Sequence, residues 1–264
     1  MIAPERMQNM KRTRKPDQPR SIGLARTLSK LGHCSRNQGF ALVRSGRVAV
    51  NGAVRRDPEF PVPLQARITV DGRPISSASK LYLMMNKPRG LVTTTSDEKG
   101  RPTVYSLLDP DLPRVSPVGR LDLASEGLLL FTNDTEWAAR ITSPDCHIEK
   151  TYHVQIAAVA DGALLARLSA GVKDRGEILR AVRVSILRFG KRNSWLEVVL
   201  DEGRNRHIRR MLAAVGIEVL RLVRVAIGPL ALGKLAKGRV RSLTAEEKVA
   251  MDGLRDAAAA PSMR

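Results

Sequence analysis

The sequence predicts an α+β protein: a small basic module of two helices and a hairpin, then a larger domain with helices on a mixed, largely antiparallel sheet. Three features carry that prediction. Hairpin signals recur between neighbouring strands, where a parallel α/β fold would alternate strand and helix. Positive charge is concentrated at the front, with +11 of a formal +19 in residues 1–80. A short polar stretch, SSASK, separates the basic segment from a strongly apolar strand.

The composition bounds the rest. A chain of 264 residues, 43 % apolar, can bury a sizeable core. Its 45 Lys and Arg against 26 Asp and Glu point to a polyanionic partner, nucleic acid first. The plainer reading of the same charge is a solubilising surface. Cys34 and Cys146 lie outside any CxxC, so neither a disulfide framework nor a zinc site is expected, which fits a reducing, cytoplasmic setting. His33, His147, His153 and His207 show no metal-ligand spacing. No apolar run approaches the ~20 residues of a membrane helix, and no signal-peptide segment is expected at the start. Aromatic residues are only 3 %, too few for rows of base-stacking rings.

Residues 1–20 are basic and aperiodic. They read as a disordered arm, either phosphate-seeking or a start-site remnant. Residues 21–76 form the first module. Leu24, Leu28 and Leu31 lie on one helical face, which Gly32 ends. A second helix over RNQGFALVRSG turns Phe40 and Val43 inward and stops at Gly46. RVAVNGAVR alternates around Asn51-Gly52, a hairpin signal, and ARITVDGRPI adds a strand and a turn. Arg26, Lys30, Arg36, Arg44, Arg47, Arg55 and Arg56 punctuate these elements, an arrangement suited to gripping RNA phosphates. The stretch LSKLGHCSRNQGFALVRSGRVAVNGAV resembles the ribosomal protein S4-like RNA-binding domain, which implies RNA binding and says nothing of a reaction.

Residues 77–80 are read as a linker and 81–253 as the second domain. LYLMMNKPRGLVTT opens it with a strand whose end carries Lys87 and Arg89. DTEWAARI reads as a helix, KTYHVQI as a strand and DGALLARLSAG as a helix. AVRVSILRFGKRNSWLEVVLDEG is a long hairpin turning at Gly190 to Asn193. RNRHIRRMLAAVG is a basic helix stopped by Gly216, and EVLRLVRVAIGPL a strand. Thr244 opens a last helix with Glu247 in the capping-box position, and residues 254–264 are expected to fray.

Within this domain the segment VGRLDLASEGLLLFTND sets Asp122 at the mouth of an apolar strand. A carboxylate there is costly to desolvate without a partner or a chemical task. Helix capping, a structural ion pair and catalysis are all open. Glu126 faces elsewhere if residues 122–127 turn, so paired-carboxylate hydrolysis is not favoured. No Ser–His or Cys–His pairing and no phosphate-cradling glycine loop stands out.

GRLDLASEGLLLFTND resembles the signature of RNA pseudouridine synthases, in particular those acting on ribosomal RNA with a small N-terminal RNA-binding domain. LMMNKPRGLVTT, GRPTVYSLL, KTYHVQI, DEGRNRHIRRML, LRLVRVAIGPL and GRVRSLTAEE extend the similarity over nearly the whole chain after residue 22. The resemblance implies a pseudouridine synthase fold and isomerisation of uridine, by breaking N1–C1′ and rejoining the base through C5, with no cofactor and no metal. It implies Asp122 as the essential carboxylate, leaving open attack at C6, attack at C1′ or removal of a sugar proton. Arg209 would pair with that carboxylate and favour its charged form, Tyr152 would stack on the extruded base, and Leu222 would wall the uracil pocket. A core tyrosine, a phosphate contact and a core leucine are the plainer readings of those three. Arg120 is expected to bind phosphate or wedge where the base was, Arg204 to contact substrate, and Lys87 and Arg89 to meet RNA or solvent. The expected substrate is 23S ribosomal RNA, free or in an assembling large subunit, met by a cytoplasmic monomer that uses no membrane. The alternatives are small-subunit (16S) RNA, or an idle RNA-binding assembly factor on the same scaffold.

Overall fold

The computed structural model describes residues 22–63, 65–76 and 79–258. The chain divides into two compact units, 1–77 and 78–264. The expected basic arm, residues 1–20, lies outside the described residues.

In the first unit β1 (Ile22–Gly23) leads into α1 (Leu24–Lys30), followed by α2 (Arg36–Arg44). Ser35 caps α2 with a full capping box: its hydroxyl accepts from Gln38 N, and the Gln38 side chain accepts from Ser35 N. The helices pack closely because α2 presents Gly39 to α1, where a Cβ would lie 2.8 Å from Ala25 O. Phe40, expected inward, is only half-buried, because Gly39 and Val43 take the inner face. β2 (Val48–Val50) and β3 (Ala53–Val54) turn at Asn51-Gly52, both at positive φ. β4 (Pro61–Val62) pairs with β1, while β5 (Ile68–Val70) and β6 (Arg73–Pro74) complete a four-stranded sheet ordered β3-β2-β5-β6. Leu24, Leu28, Val43, Val48 and Ile68 form its buried core.

The second unit is built on nine strands. They are β7 (Tyr82–Lys87), β8 (Ser116–Val118), β9 (Glu126–Thr132), β10 (Lys150–Ile156), and the later β13–β17 named below. Helix α3 (Thr135–Thr142) starts at Asp134, whose carboxylate accepts from Glu136 N and Trp137 N. Helix α4 (Gly162–Ala170) precedes a two-stranded ribbon, β11 (Val172–Asp174) and β12 (Glu177–Leu179). The predicted long hairpin is β13 (Arg183–Phe189) with β14 (Ser194–Leu200). Then come α5 (His207–Ala213), β15 (Val219–Ile227), β16 (Leu230–Ala231), β17 (Val240–Ser242) and α6 (Ala245–Ala258). The sheet runs β13-β14-β10-β15-β9-β7-β17, with β16 on β15 and β8 on β9.

Every pairing between these strands is antiparallel except β15 with β9. At that junction Gly127, at φ +101°, faces Arg224, and a Cβ would sit 2.2 Å from Arg224 O. Only glycine permits so close an approach. All seven residues of β9 are buried, with Leu128 and Leu130 in the core that holds Trp137 and Met251, and Leu129 and Phe131 in one that holds Val104 and Leu121. A third core under α4 and α5 contains Val154, Leu168, Val198 and Leu212. α6 runs beyond the expected fraying point at 254, because Leu254 packs with the core beneath it; its start carries the predicted capping box, Thr244 with Glu247.

Candidate active site

Asp122 lies on the loop that enters β9. The loop is fixed through its backbone, one oxygen after another. Thr93 Oγ1 donates to Leu121 O (2.8 Å), Ser125 N to Asp122 O (2.9 Å), and Gly90 N to Leu123 O (2.9 Å). Arg209 Nη2 donates to Ala124 O at 3.0 Å. Lys87 Nζ donates to Asp122 O (3.2 Å), Ser125 O (2.9 Å) and Pro88 O (3.0 Å). Every carbonyl from residue 121 to 125 therefore accepts a hydrogen bond. The strand below is wholly buried, so the carboxylate stands on rigid support.

The expected contact of Lys87 with RNA is corrected here. Its side chain has no exposure, so it reaches neither phosphate nor solvent and instead ties down the Asp122 loop. Burial pushes its ammonium down to about 8, against the opposing pull of Asp122 and Glu126. The expected pairing of Arg209 with the Asp122 carboxylate is also corrected: no ion pair within 4.0 Å joins them among the described residues. Arg209 spans Ala124 O and, at 3.2 Å, Val219 O, clasping the loop to the start of β15. Burial lowers the Arg209 value from the ordinary guanidinium range, and Asp122 acts on it at longer range in the opposite sense. Glu126 faces away from the loop, as its position in the turn suggested. Burial works to raise its value, but Arg221 Nε (2.9 Å) and Lys237 (2.6 Å) outweigh that and hold it low.

A cleft of about 670 Å³ opens beside this loop. It brings together Asp122, Tyr152, Leu222, Arg120 and Arg204 from the sequence-derived set; Lys87 and Arg209 do not line it. Tyr152 is half-buried and packs against two of the cores, Leu222 is buried, and Arg120 is exposed at the rim. Arg204 is exposed and paired with Glu202 at 3.0 Å. The polar lining residues that the motifs did not single out include Ser125, Lys150, His207 and Arg224. Strand alternation is the signal that could have found two of them. Lys150 stands two before Tyr152 on β10, and Arg224 two after Leu222 on β15. Ser125 Oγ, both ring nitrogens of His207 and Arg224 Nη2 are buried without a hydrogen-bond partner. Burial lowers the His207 value, favouring the neutral ring.

In the first unit, Arg26, Arg36 and Arg44 are exposed on the helices. Arg47 is tied to Asp71, with Nε 2.8 Å from Oδ1, and the Arg55 guanidinium lies 4.3 Å over the Phe60 ring. Lys30 is half-buried at the end of α1. Among the described residues no cluster of His, Cys, Asp and Glu could hold a metal, and no helix is long and apolar enough to cross a membrane.

The arrangement sets the Asp122 carboxylate on a rigid loop beside a slot lined by an aromatic and an aliphatic side chain, with basic residues and the acidic pair Asp201 and Glu202 along the same cleft. Known proteins resemble this chain over most of its length. The profile described as RNA pseudouridylate synthase matches residues 81–214, and that of the S4 domain matches residues 22–68. An uncharacterized RNA pseudouridine synthase of Aquifex aeolicus (strain VF5) is 37 % identical over 228 residues, 86 % of this chain and 92 % of its own. The ribosomal large subunit pseudouridine synthase B of Bacillus subtilis (strain 168) is 33 % identical, covering 88 % of this chain and 96 % of its own. A crystal structure of a pseudouridylate synthase superposes with TM-score 0.62 at 29 % identity, over 89 % of this chain and 100 % of that one.

Proposed function

This chain belongs to the RNA pseudouridylate synthase family, and on that premise we propose that it modifies a uridine of large-subunit (23S) ribosomal RNA, with Asp122 as the essential carboxylate. The observation that carries the site assignment is the meeting of Asp122, Tyr152 and Leu222 in one cleft, with Asp122 on a loop whose carbonyls from 121 to 125 all accept hydrogen bonds. The uracil is flipped from its stack into that slot, at a cost of a few kcal/mol offset by RNA binding around the cleft. Tyr152 stacks on the base, Leu222 closes the other side, and Arg120 at the rim meets the backbone or fills the gap left in the stack. Arg204 holds the phosphates beside the slot. The N-terminal module, through Arg26, Arg36 and Arg44, anchors the RNA while the cleft takes one nucleotide. The enzyme acts as a cytoplasmic monomer and needs no cofactor, because isomerisation involves no net redox change.

The large-subunit assignment draws support from the name of the Bacillus relative. Pseudouridine mapping on ribosomal RNA from a strain lacking the gene, complemented with the parent or Asp122→Asn, tests both parts. The parent restores one site in 23S RNA and the Asn form restores none. Restoration by the Asn form would remove Asp122 from the chemistry, and a restored site in 16S RNA would move the target to the small subunit.

A further inference from the structure

Lys150, Tyr152, Leu222 and Arg224 all line the cleft and come from two adjacent strands. Tyr152 and Arg224 are direct partners in the β10–β15 register; Lys150 stands two residues from Tyr152, and Leu222 two from Arg224. The slot assigned to the base therefore continues into two cations. Arg224 is 6 % exposed; its Nε donates to Leu128 O at 2.8 Å and its Nη2 has no partner. Lys150 is half-buried and makes one hydrogen bond, a long one of 3.3 Å to Asp201 O.

We propose that Lys150 and Arg224 form a cationic end to the uracil slot that stabilises the base as it detaches as an anion. This rests on the reading of the cleft as the uridine site. In the step concerned, the C1′–N1 bond breaks and its electron pair passes to N1 and through the ring onto O2 and O4. C1′ is satisfied either by a bond to the Asp122 carboxylate or by the C2′–H electron pair, the proton then going to that carboxylate. C1′ next bonds C5 as the Asp122 carboxylate leaves C1′ or, in the elimination route, returns its proton to C2′; C5 then loses its proton and N1 takes one up, so atoms and charge balance without a co-reactant.

Neutral uracil gains little from two nearby cations, whereas the detached anion gains much more from cations that are themselves partly or wholly withdrawn from water. Such stabilisation is specific to the transition state and its anion, which is the kind that accelerates a reaction. Burial, and then Arg224, push the Lys150 ammonium below its ordinary value, with Asp201 opposing. A negative base between the two cations relieves that same strain. Arg224 positioned by Leu128 O and Lys150 by Asp201 O need no reorganisation when the charge appears.

The test compares single-turnover rates on ribosomal RNA transcripts made with uridine or with 5-fluorouridine. After digestion, the C-linked nucleoside, which for 5-fluorouridine keeps fluorine on C5 and adds water across C6 and N1 because there is no C5 proton to lose, is separated from its N-linked parent by chromatography. Fluorine draws charge from the ring, so the 5-fluorouracil anion needs less help. Lys150→Met is expected to slow uridine by about 10²-fold and 5-fluorouridine by about tenfold or less, with RNA affinity and unfolding temperature unchanged. Lys150→Arg and Arg224→Lys keep the charge and are expected to preserve the parent's ratio between the two nucleosides. Arg224→Met removes a bond to the core of β9, so Lys150→Met carries the test if that variant fails to fold. An equal loss on both nucleosides, no loss, or a loss confined to RNA affinity would overturn the proposal. A parent enzyme that forms no C-linked nucleoside would overturn the reading of the cleft itself.

Discussion

The ammonium of Lys87 lies 3.2 Å from the main-chain oxygen of Asp122, so the residue proposed as essential is held by its backbone while its carboxylate stays free for chemistry. The same ammonium reaches Ser125 O and Pro88 O, using all three of its donors.

Lys87→Met therefore removes the Lys87 donor from Ser125 O and Pro88 O, while Asp122 O keeps Ser125 N. Orphaned acceptors cost about 1–3 kcal/mol each, partly offset by removing a buried charge, so a net loss of about 1–3 kcal/mol is expected. The catalytic rate should fall by about 10²-fold through misplacement of Asp122, with RNA affinity intact. Urea unfolding and single-turnover kinetics check the two parts separately.

The pH dependence of the same group has a definite sign. Its folded-state value, about 8, lies below that of a lysine in the unfolded chain. Between those values the unfolded state holds more protons, so the Lys87 contribution to stability increases as pH rises. The neutral amine has one donor fewer, so the loop loosens and the rate is expected to fall as pH passes about 8. A rate–pH profile, paired with unfolding of parent and Lys87→Met at about pH 7 and about pH 9.5, separates the opposed trends.

Arg209→Lys tests the clasp between Ala124 O and Val219 O. A guanidinium spans two acceptors and an ammonium on a flexible stem does not, so the rate should drop by about 10–10²-fold. RNA affinity and its salt dependence should stay constant. A fall in salt slope instead would identify Arg209 as a phosphate contact.

Gly127→Ala places a methyl group 2.2 Å from Arg224 O at a φ that disfavours side chains. Neither backbone can move without breaking the parallel pairing of β9 and β15, so the expected loss is about 3–5 kcal/mol by chemical denaturation. A neutral result would mean that the two strands separate easily at this point.

Replacing Arg26, Arg36 and Arg44 together by alanine should weaken RNA binding uniformly and reduce the salt slope by about 2–3. The rate at saturating RNA should not change. Filter binding across a salt series measures the first effect and single-turnover kinetics the second. An unchanged slope would show that these helices do not hold phosphates.

Much of this protein was legible before folding, because some physical rules act locally. The turn at Asn51-Gly52, the hairpin of β13 and β14, and the capping box of Thr244 and Glu247 depend on neighbours in sequence. Motif resemblance likewise singled out Asp122, Tyr152 and Leu222, which share one cleft. Lys87 misled because a lysine before a Pro-Arg-Gly turn looks solvent-facing. What buries it is a set of carbonyls 35 and 38 residues further along the chain.

The sequence by itself determined the α+β class, a basic N-terminal module, a second domain, and a lone aspartate at the mouth of a strand. Those properties follow from composition, periodicity and turn chemistry, which are local. Only the tertiary structure decided that Lys87 and Arg209 grip the backbone of the Asp122 loop, and that Lys150 on β10 and Arg224 on β15 line one cleft. Both depend on which strands become neighbours, and that is set by packing between residues remote in sequence.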